Sequence, residues 1–298
     1  MAPHRDSRLS LIEWTAIVAV VVIWGVNNAA AKFATAALPP LFVGGARFLL
    51  VLACLFPFIR PPFPDWRLFV PTLLLVGPLH FAVVYWGFAL AHNLRLFSVT
   101  LQLWIPLATL FSWMILRESM PLAAIGGMAT AFAGVVWMML DPAASGDVTA
   151  VLVGGAASVL WALGTVLVRR IQGVRALKVQ ACVALLAAPT LLAGAFATEP
   201  DLVVRAQAAS WAVWASIVFA GLVSSVGATV ALFWLAQRRE ASRFTPYLLT
   251  TPLVTAVIGV TALGDVLTPR LVAGGLVTLC GVAVVALAER RRRAAASA

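Results

Sequence analysis

The chain has 298 residues, of which 62% are hydrophobic and only 11% are charged, and its formal net charge is +10. A soluble domain is about half apolar and about a quarter charged, so this composition and the mean hydropathy of +1.01 exclude a water-soluble fold. The positive charge does not indicate nucleic-acid binding, because the basic residues stand between apolar runs and in the tail Arg290–Arg293, a distribution typical of contact with anionic lipid.

Ten apolar runs follow one another, each close to the roughly 20 residues that a membrane-spanning helix needs. Backbone polar groups find no partners in hydrocarbon, so every run is predicted to be an α-helix. The short connections hold the Pro, Gly and charged residues, which leaves no room for a soluble domain. The predicted helices cover approximately Leu11–Ala31, Leu38–Ile59, Leu68–Ala91, Leu96–Leu116, Pro121–Leu140, Val148–Val168, Val179–Ala197, Ala209–Ala236, Pro246–Leu263 and Leu271–Ala288.

The distribution of Lys and Arg over alternate connections predicts the orientation. If the N-terminus is inside, sixteen of these residues are cytoplasmic and four, Lys32, Arg95, Arg205 and Arg270, are on the opposite side. Cytoplasmic loops carry the excess of positive charge in membrane proteins. Both termini are therefore predicted to be cytoplasmic.

The two halves of the chain resemble each other, which predicts an internal repeat. The spacing of Trp24, Asn28 and Lys32 recurs in Trp161, Thr165 and Arg169. The series Pro106, Glu118, Pro121, Gly127, Ala131 and Gly134 has a counterpart in Pro252, Asp265, Pro269, Gly274, Thr278 and Gly281. Five helices per half is an odd number, so the second half must be inverted, as in many secondary transporters.

The expected fold is therefore an all-α integral membrane protein of ten transmembrane helices, arranged as two inverted five-helix repeats. Residues 1–298 form a single membrane domain, in which 11–140 are the first repeat and 148–288 the second. Residues 289–298 are expected to form a basic cytoplasmic tail.

This layout resembles the duplicated EamA-type exporters of the drug/metabolite transporter superfamily. The resemblance lies in the WGVNNAAAK segment that begins at Trp24, in Gly44-Gly45-Ala46-Arg47-Phe48, in Pro106 followed by Leu116-Arg117-Glu118, and in the Gly-rich fifth and tenth runs. It implies a secondary carrier of amino acids, nucleotide-type metabolites or drugs in the bacterial inner membrane, with export as the direction. Within the superfamily the chain is most similar to the aromatic amino-acid exporters.

Charged groups are placed so as to favour a neutral or zwitterionic substrate. All 11 acidic residues lie in tails, loops or the ends of runs, so there is no mid-depth carboxylate to couple export of a cation. His80 lies mid-way along the third run, just after Pro78, which lacks an N–H group and is expected to kink the helix. The imidazole is expected either to be a packing residue with a satisfied hydrogen bond or to hydrogen-bond the substrate, and protonation linkage is a further alternative.

Polar and aromatic residues at helical spacing form the candidate substrate site. The rings are expected to stack on an apolar or aromatic side chain, and the amides and His80 to bond a zwitterionic head. The alternative for any single Thr is an ordinary interhelical hydrogen bond, worth about 0.6 kcal/mol. The candidate residues are Trp24, Asn27, Asn28, His80, Tyr85, Gln102, Trp104, Trp161, Thr165, Tyr247 and Thr251.

Arg47 and the glycine faces each allow two interpretations, whereas the cysteines allow one. Arg47 either binds a substrate carboxylate or extends to the outer interface as a structural residue. The Gly127 and Gly274 faces allow close helix packing, either inside the monomer or in a dimer. The cysteines, Cys54, Cys182 and Cys280, lack the spacing of metal ligands and are expected to be buried apolar residues.

These observations predict a secondary transporter, not an enzyme. No Walker, GxSxG or HExxH motif is present, and no cofactor, metal, nucleic acid or obligate protein partner is expected besides the small-molecule substrate and membrane lipid. The expected substrates are small neutral metabolites, above all large or aromatic amino acids, exported by alternating access. A drug or nucleotide-type metabolite carrier and a uniporter-like pore are the alternatives.

Overall fold

A computed structural model describes residues 9–117, 120–140, 146–168, 170–171, 173–238, 247–248, 250–262, 264 and 268–296. Regular secondary structure within these ranges is entirely helical. Eight of the helices there are long and apolar enough to cross a membrane, and two further apolar helices are shorter. Many large apolar side chains face outward, among them Leu11, Leu122 and Trp211, each more than 80% exposed. An apolar surface of this kind suits lipid and not water.

The helices are numbered in chain order, apart from a short connecting helix at Leu202–Ala208. The eight long ones are α1 Leu11–Ala37, α2 Pro40–Phe58, α3 Trp66–Leu90, α4 Leu94–Leu116, α6 Val148–Val168, α7 Ala176–Thr198, α8, whose apolar part is Trp211–Leu232, and α10, whose apolar part is Pro269–Ala288. The two shorter ones are α5 Leu122–Met139 and α9 Thr251–Ala262.

Local sequence signals explain where several helices begin. Ser10 and Glu13 form a reciprocal capping box at the start of α1, with the Glu13 carboxylate accepting from the Ser10 N–H at 2.8 Å. Asp65 and Asn93 accept backbone N–H groups with their side chains at the starts of α3 and α4. These caps satisfy donors that have no partner inside the helix.

Two of the described helices become π-helical near their centres, and they are the third helices of the two predicted halves. In α3 the kink expected at Pro78 is present: Leu75–Leu79 is π-helical, and Gly77 has non-helical torsion angles of φ −113° and ψ −110°. In α8 the segment Phe219–Thr229 is π-helical. Single π-helical turns inside α-helices are frequent at functional sites.

The contacts between helices stay the same when each helix is replaced by its counterpart in the other predicted half. The second helices pack together, α2 against α7, and so do the fifth helices, α5 against α10. The first helix of each half packs against the third and fourth of the other, α1 against α8 and α9, and α6 against α3 and α4. This arrangement is the one that the predicted two-fold relation between the halves requires, although Glu118, Arg169 and Asp265 of the predicted repeat lie outside the described residues.

The glycine faces of α5 and α10 pack against each other inside the monomer. A Cβ atom added at Gly127 would lie 2.7 Å from the Gly281 carbonyl oxygen, and one at Gly274 would lie 3.0 Å from the Gly134 carbonyl oxygen. Such backbone approach requires residues without a side chain. Of the two uses that the sequence allowed for these faces, the structure therefore shows packing within the chain.

Basic side chains bond carbonyl groups that lie far away in the sequence. Arg170 donates to Ile115 and Lys178 to Pro62. Arg205 donates to Ala37 at 3.0 Å and Arg270 to Leu140 at 2.6 Å, both at the C-terminal ends of helices, where positive charge is favourable. Each of the four bonds joins helix ends or connections that the predicted ten-helix topology places on the same side of the membrane.

Several predicted boundaries are corrected by the structure. Helix α1 continues to Ala37, so Lys32 lies inside a helix and not in a connection. Helix α10 extends from Pro269 to Ala296, so most of the expected tail continues this helix. The cysteines are free, but only Cys182 is buried, whereas Cys54 and Cys280 are exposed. The predicted start of the ninth helix, Pro246, lies outside the described residues.

Candidate functional site

A cavity of about 130 Å³ lies where helices of both halves meet. From the first half it is lined by α1, α2, α3 and α4, and from the second half by α6, α8, α9 and the residues just before α9. No Asp or Glu occurs among the described residues of its wall. The lining residues are Trp24, Asn27, Asn28, Arg47, His80, Phe81, Val84, Tyr85, Phe88, Ser98, Leu101, Gln102, Trp104, Ser158, Trp161, Ser224, Thr229, Leu248 and Thr251.

The structure brings nine of the eleven sequence-predicted site residues together in this wall. They are Trp24, Asn27, Asn28, His80, Tyr85, Gln102, Trp104, Trp161 and Thr251. The other two lie elsewhere. The Thr165 hydroxyl donates to the Ala162 carbonyl of its own helix at 2.9 Å, and the Tyr247 ring packs edge-on against Trp14, with 4.7 Å between the ring centres. Thr165 follows the lining residue Trp161 by four positions and Tyr247 precedes the lining residue Thr251 by four, so the cavity wall ends before it reaches either of them.

His80 and Trp161 form one aromatic wall of the cavity. Their ring centres are 4.8 Å apart, and Phe81 stands edge-on to Trp161 at 6.3 Å. The His80 Nδ1 atom is 2.9 Å from the Ala157 carbonyl oxygen in α6. A carbonyl only accepts hydrogen bonds, so Nδ1 carries the proton, and His80 is held against α6 one turn before Trp161.

Asn28 links three helices at the cavity wall. Its Nδ2 atom donates to the Ser98 hydroxyl of α4 and to the Thr255 hydroxyl of α9, both at 3.1 Å. The two N–H groups of the amide are thereby used in packing, and only its carbonyl oxygen is left for a substrate.

Gln102 lies at a break in α4, between Leu94–Leu101 and Trp104–Leu116. Pro106 has no N–H to donate to the Gln102 carbonyl four residues earlier. That carbonyl accepts instead from the Ile105 N–H at 3.1 Å, which tightens the turn. The break therefore follows from the proline and places Gln102 in the wall.

The sequence left two roles open for Arg47, and the structure places this residue in the cavity wall. Its side chain is 4% exposed, so it does not extend to the outer interface. Nε donates to the Ser225 hydroxyl at 2.8 Å and Nη1 to the Tyr85 hydroxyl at 3.0 Å. The guanidinium also lies over the Phe81 ring, 4.8 Å from its centre. The cavity thus carries a fixed positive charge that the predicted site lacked.

The π-helical segment of α8 contributes two lining residues, Ser224 and Thr229, that sequence reasoning missed. The Thr229 hydroxyl donates to the Ser224 carbonyl and the Ser225 hydroxyl to the Ala220 carbonyl, both at 3.1 Å and both five residues back. A hydrogen bond between residues five positions apart is the π-helical spacing, so both hydroxyl groups bond in the same spacing as the π-helical backbone. The adjacent pair Ser224-Ser225 in an apolar run was the signal that could have indicated this helix.

Three buried oxygen atoms of lining residues have no hydrogen-bond partner in the described part of the chain. They are Asn27 Oδ1, Ser224 Oγ and Thr251 Oγ1. A buried polar atom left unpaired costs about 1–3 kcal/mol, so such atoms indicate a missing partner, either water or a ligand. All three oxygens can accept a hydrogen bond from an ammonium group.

Comparison with known proteins finds similarity to membrane transporters. Residues 148–287 match the EamA-like transporter family. The chain is 28% identical over 291 residues to an uncharacterized transporter of Bacillus subtilis, covering 93% of this chain and 92% of that protein. It is 24% identical over 303 residues to a probable amino-acid metabolite efflux pump of Salmonella typhimurium, covering 98% of both.

A solved crystal structure supports the fold over nearly the whole chain. It superposes with a TM-score of 0.65 at 20% sequence identity, covering 94% of this chain and 98% of the other. Together with the apolar helices, the similarity of residues 148–287 to this family shows a multi-pass membrane protein.

Proposed function

We propose that the protein is a secondary transporter that exports small neutral or zwitterionic metabolites, above all amino acids with large or aromatic side chains. The observation that carries the proposal is the cavity between the two halves, with aromatic and amide side chains in its wall. Substrate sites of secondary transporters with two related halves lie at the interface of the halves.

The wall offers complementary groups for the parts of such a substrate. The rings of Trp24, Trp104 and Trp161 provide apolar faces for a side chain. The unpaired oxygens of Asn27, Ser224 and Thr251 are acceptors for the ammonium group. His80 and Gln102 are further polar groups for the head of the molecule.

The size of the cavity and one relative favour amino acids over the alternatives. This cavity of about 130 Å³ is slightly smaller than the roughly 150 Å³ that accepts benzene, so it disfavours a nucleotide, and a large aromatic amino acid requires it to open further. The relative in Salmonella typhimurium that is named a probable amino-acid metabolite efflux pump supports both substrate class and export. A drug carrier is less favoured, because the described wall has no carboxylate for a cationic drug.

Alternating access is the proposed mechanism, with the bacterial inner membrane as the location and both termini in the cytoplasm. Equivalent helix pairs in the two halves support a second conformation in which the halves exchange their roles. The π-helical segments of α3 and α8 lie next to the cavity and are suited to bend when the halves rock.

Purified protein in liposomes tests the proposal. We expect saturable uptake of labelled phenylalanine and leucine, and faster uptake when unlabelled substrate fills the vesicles, because a carrier returns more rapidly when loaded. Flux that rises linearly with concentration and shows no counterflow would identify a pore. Flux restricted to nucleotides or cationic drugs would contradict the substrate class.

A further inference from the structure

Arg47 is a buried cation whose neighbours are neutral. It is 4% exposed, it lines the cavity, and its two hydrogen bonds go to the hydroxyls of Ser225 and Tyr85. No carboxylate lies within ion-pair distance of it in the described ranges. Buried charges in proteins are normally paired, because removing a charge from water is costly. The missing partner is therefore an anion that enters the cavity.

The guanidinium keeps donors for such an anion. Arginine has five N–H groups, and hydrogen bonds to other described residues use two of them, so three remain. The Tyr85 hydroxyl accepts from Nη1, which leaves its own proton free to be donated to the same anion. Arg47 and Tyr85 can thus bind one ligand together.

The position of the guanidinium is fixed before a ligand arrives. Ser225 accepts from Nε and donates to the Ala220 carbonyl, so its hydroxyl cannot rotate freely. Phe81 and Phe48 lie at 4.8 and 5.7 Å from the guanidinium carbon and cover it. A preorganised donor pair loses little freedom on binding and favours a planar acceptor with two oxygens.

We propose that Arg47 and the Tyr85 hydroxyl form a carboxylate-binding subsite, so that a carboxylate is the group a substrate of this cavity must carry. The inference rests on the proposed function in taking the cavity as the substrate site. It restricts the zwitterionic substrates to those with a carboxylate, and it adds carboxylate anions without an ammonium group to the proposed substrate class. Amines without a carboxylate are expected to bind more weakly than the acids, because they bring a second positive charge next to Arg47.

Three ligands with the same ring and chain length separate these contributions. L-Phenylalanine has both charged groups, 3-phenylpropionate has only the carboxylate, and phenethylamine has only the ammonium group. The dissociation constant of each is measured by calorimetry with the purified full-length protein. We expect the two acids to bind at least about tenfold more tightly than the amine. Equal binding of the amine, or no binding of either acid, would overturn the proposal.

Phenyl phosphate distinguishes a carboxylate site from a general anion site. The cavity has about 130 Å³ and a single arginine, which suits a monoanion of small volume. We expect phenyl phosphate to bind more weakly than 3-phenylpropionate. Tighter binding of phenyl phosphate would replace the carboxylate by a phosphate as the recognised group.

Substitution of Arg47 separates ligand binding from a purely structural role. Arg47→Gln is expected to weaken both acids at least about tenfold and to leave phenethylamine unchanged or bound more tightly. Arg47→Lys keeps the charge and is expected to retain part of the preference for acids. A structural role alone would weaken all three ligands equally. Arg95→Gln is the matched control, since Arg95 is also buried but lies outside the cavity wall.

A substitute variant and two combined outcomes complete the test. If Arg47→Gln does not fold, Tyr85→Phe replaces it, and we expect a severalfold loss for the acids and none for the amine. If the liposomes transport no amino acid but the acids still bind in an Arg47-dependent manner, the proposed function fails and the subsite stands. If phenylalanine is transported but phenethylamine binds equally well, the subsite alone fails.

Discussion

The pair His80 and Trp161 shows how one hydrogen bond places an aromatic wall. The bond from His80 Nδ1 to the Ala157 carbonyl joins α3 to α6, and the two rings lie 4.8 Å apart. The π-helical turn Leu75–Leu79 ends directly before His80, so the kink decides where the imidazole lies. His80, a polar residue in an apolar helix, therefore both packs against α6 and lines the cavity.

Replacing Trp161 by Ala tests the proposed side-chain pocket. An aromatic pair contributes about 0.5–1.5 kcal/mol beyond burial, so we expect phenylalanine binding to weaken about three- to tenfold. Alanine transport should change far less, because its side chain does not reach a ring. Transport of both is measured in liposomes at equal protein content. Equal losses for alanine and phenylalanine would place the side-chain pocket elsewhere.

The α5–α10 contact is decided by backbone approach along one helix face. Gly127 and Gly126 are neighbours in the sequence, yet they differ completely in their surroundings. A Cβ at Gly127 would lie 2.7 Å from the Gly281 carbonyl oxygen and 3.0 Å from the Val285 nitrogen, whereas at Gly126 nothing lies within 4 Å. Helical rotation alone makes one of them essential for packing and the other free to vary.

The two glycines form a matched pair for substitution. Gly127→Ala forces α5 and α10 apart, and we expect a loss of about 1–3 kcal/mol in stability, as for overpacked cores. Gly126→Ala is expected to be neutral or slightly stabilising, since alanine favours the helix by up to about 1 kcal/mol. The melting temperature of the purified protein in detergent measures both. A similar loss in the two variants would contradict this helix contact.

At the scale of the whole molecule, the arginines of the second half hold helix ends of the first. Arg205 bonds Ala37 at the end of α1, Arg270 bonds Leu140 at the end of α5, and Arg170 bonds Ile115 in α4. The predicted ten-helix topology puts the first two on the outer side and the third on the inner side. In that topology these contacts lie on both sides of the cavity, where the proposed alternating access would break and form them.

Accessibility labelling tests the topology. The exposed residues Arg60, before α3, and Asp201, after α7, are predicted to lie inside and outside, respectively. Single cysteines are introduced there in a protein whose native cysteines are replaced, because Cys54 and Cys280 are exposed. We expect a membrane-impermeant maleimide to label Asp201→Cys in intact cells, and Arg60→Cys only after permeabilisation. Labelling of both from one side would contradict the predicted topology.

The sequence by itself determined the helical, membrane-embedded character of this protein, the kink at Pro78 and nine of the 19 residues in the cavity wall. Hydropathy and the chemistry of proline are local, so they can be read without knowing which helices meet. Only the tertiary structure placed Arg47 in the wall, left Thr165 and Tyr247 outside it, added Ser224 and paired Gly127 with Gly281. These features depend on which helices meet, at what depth and with which faces, and long-range packing decides all three.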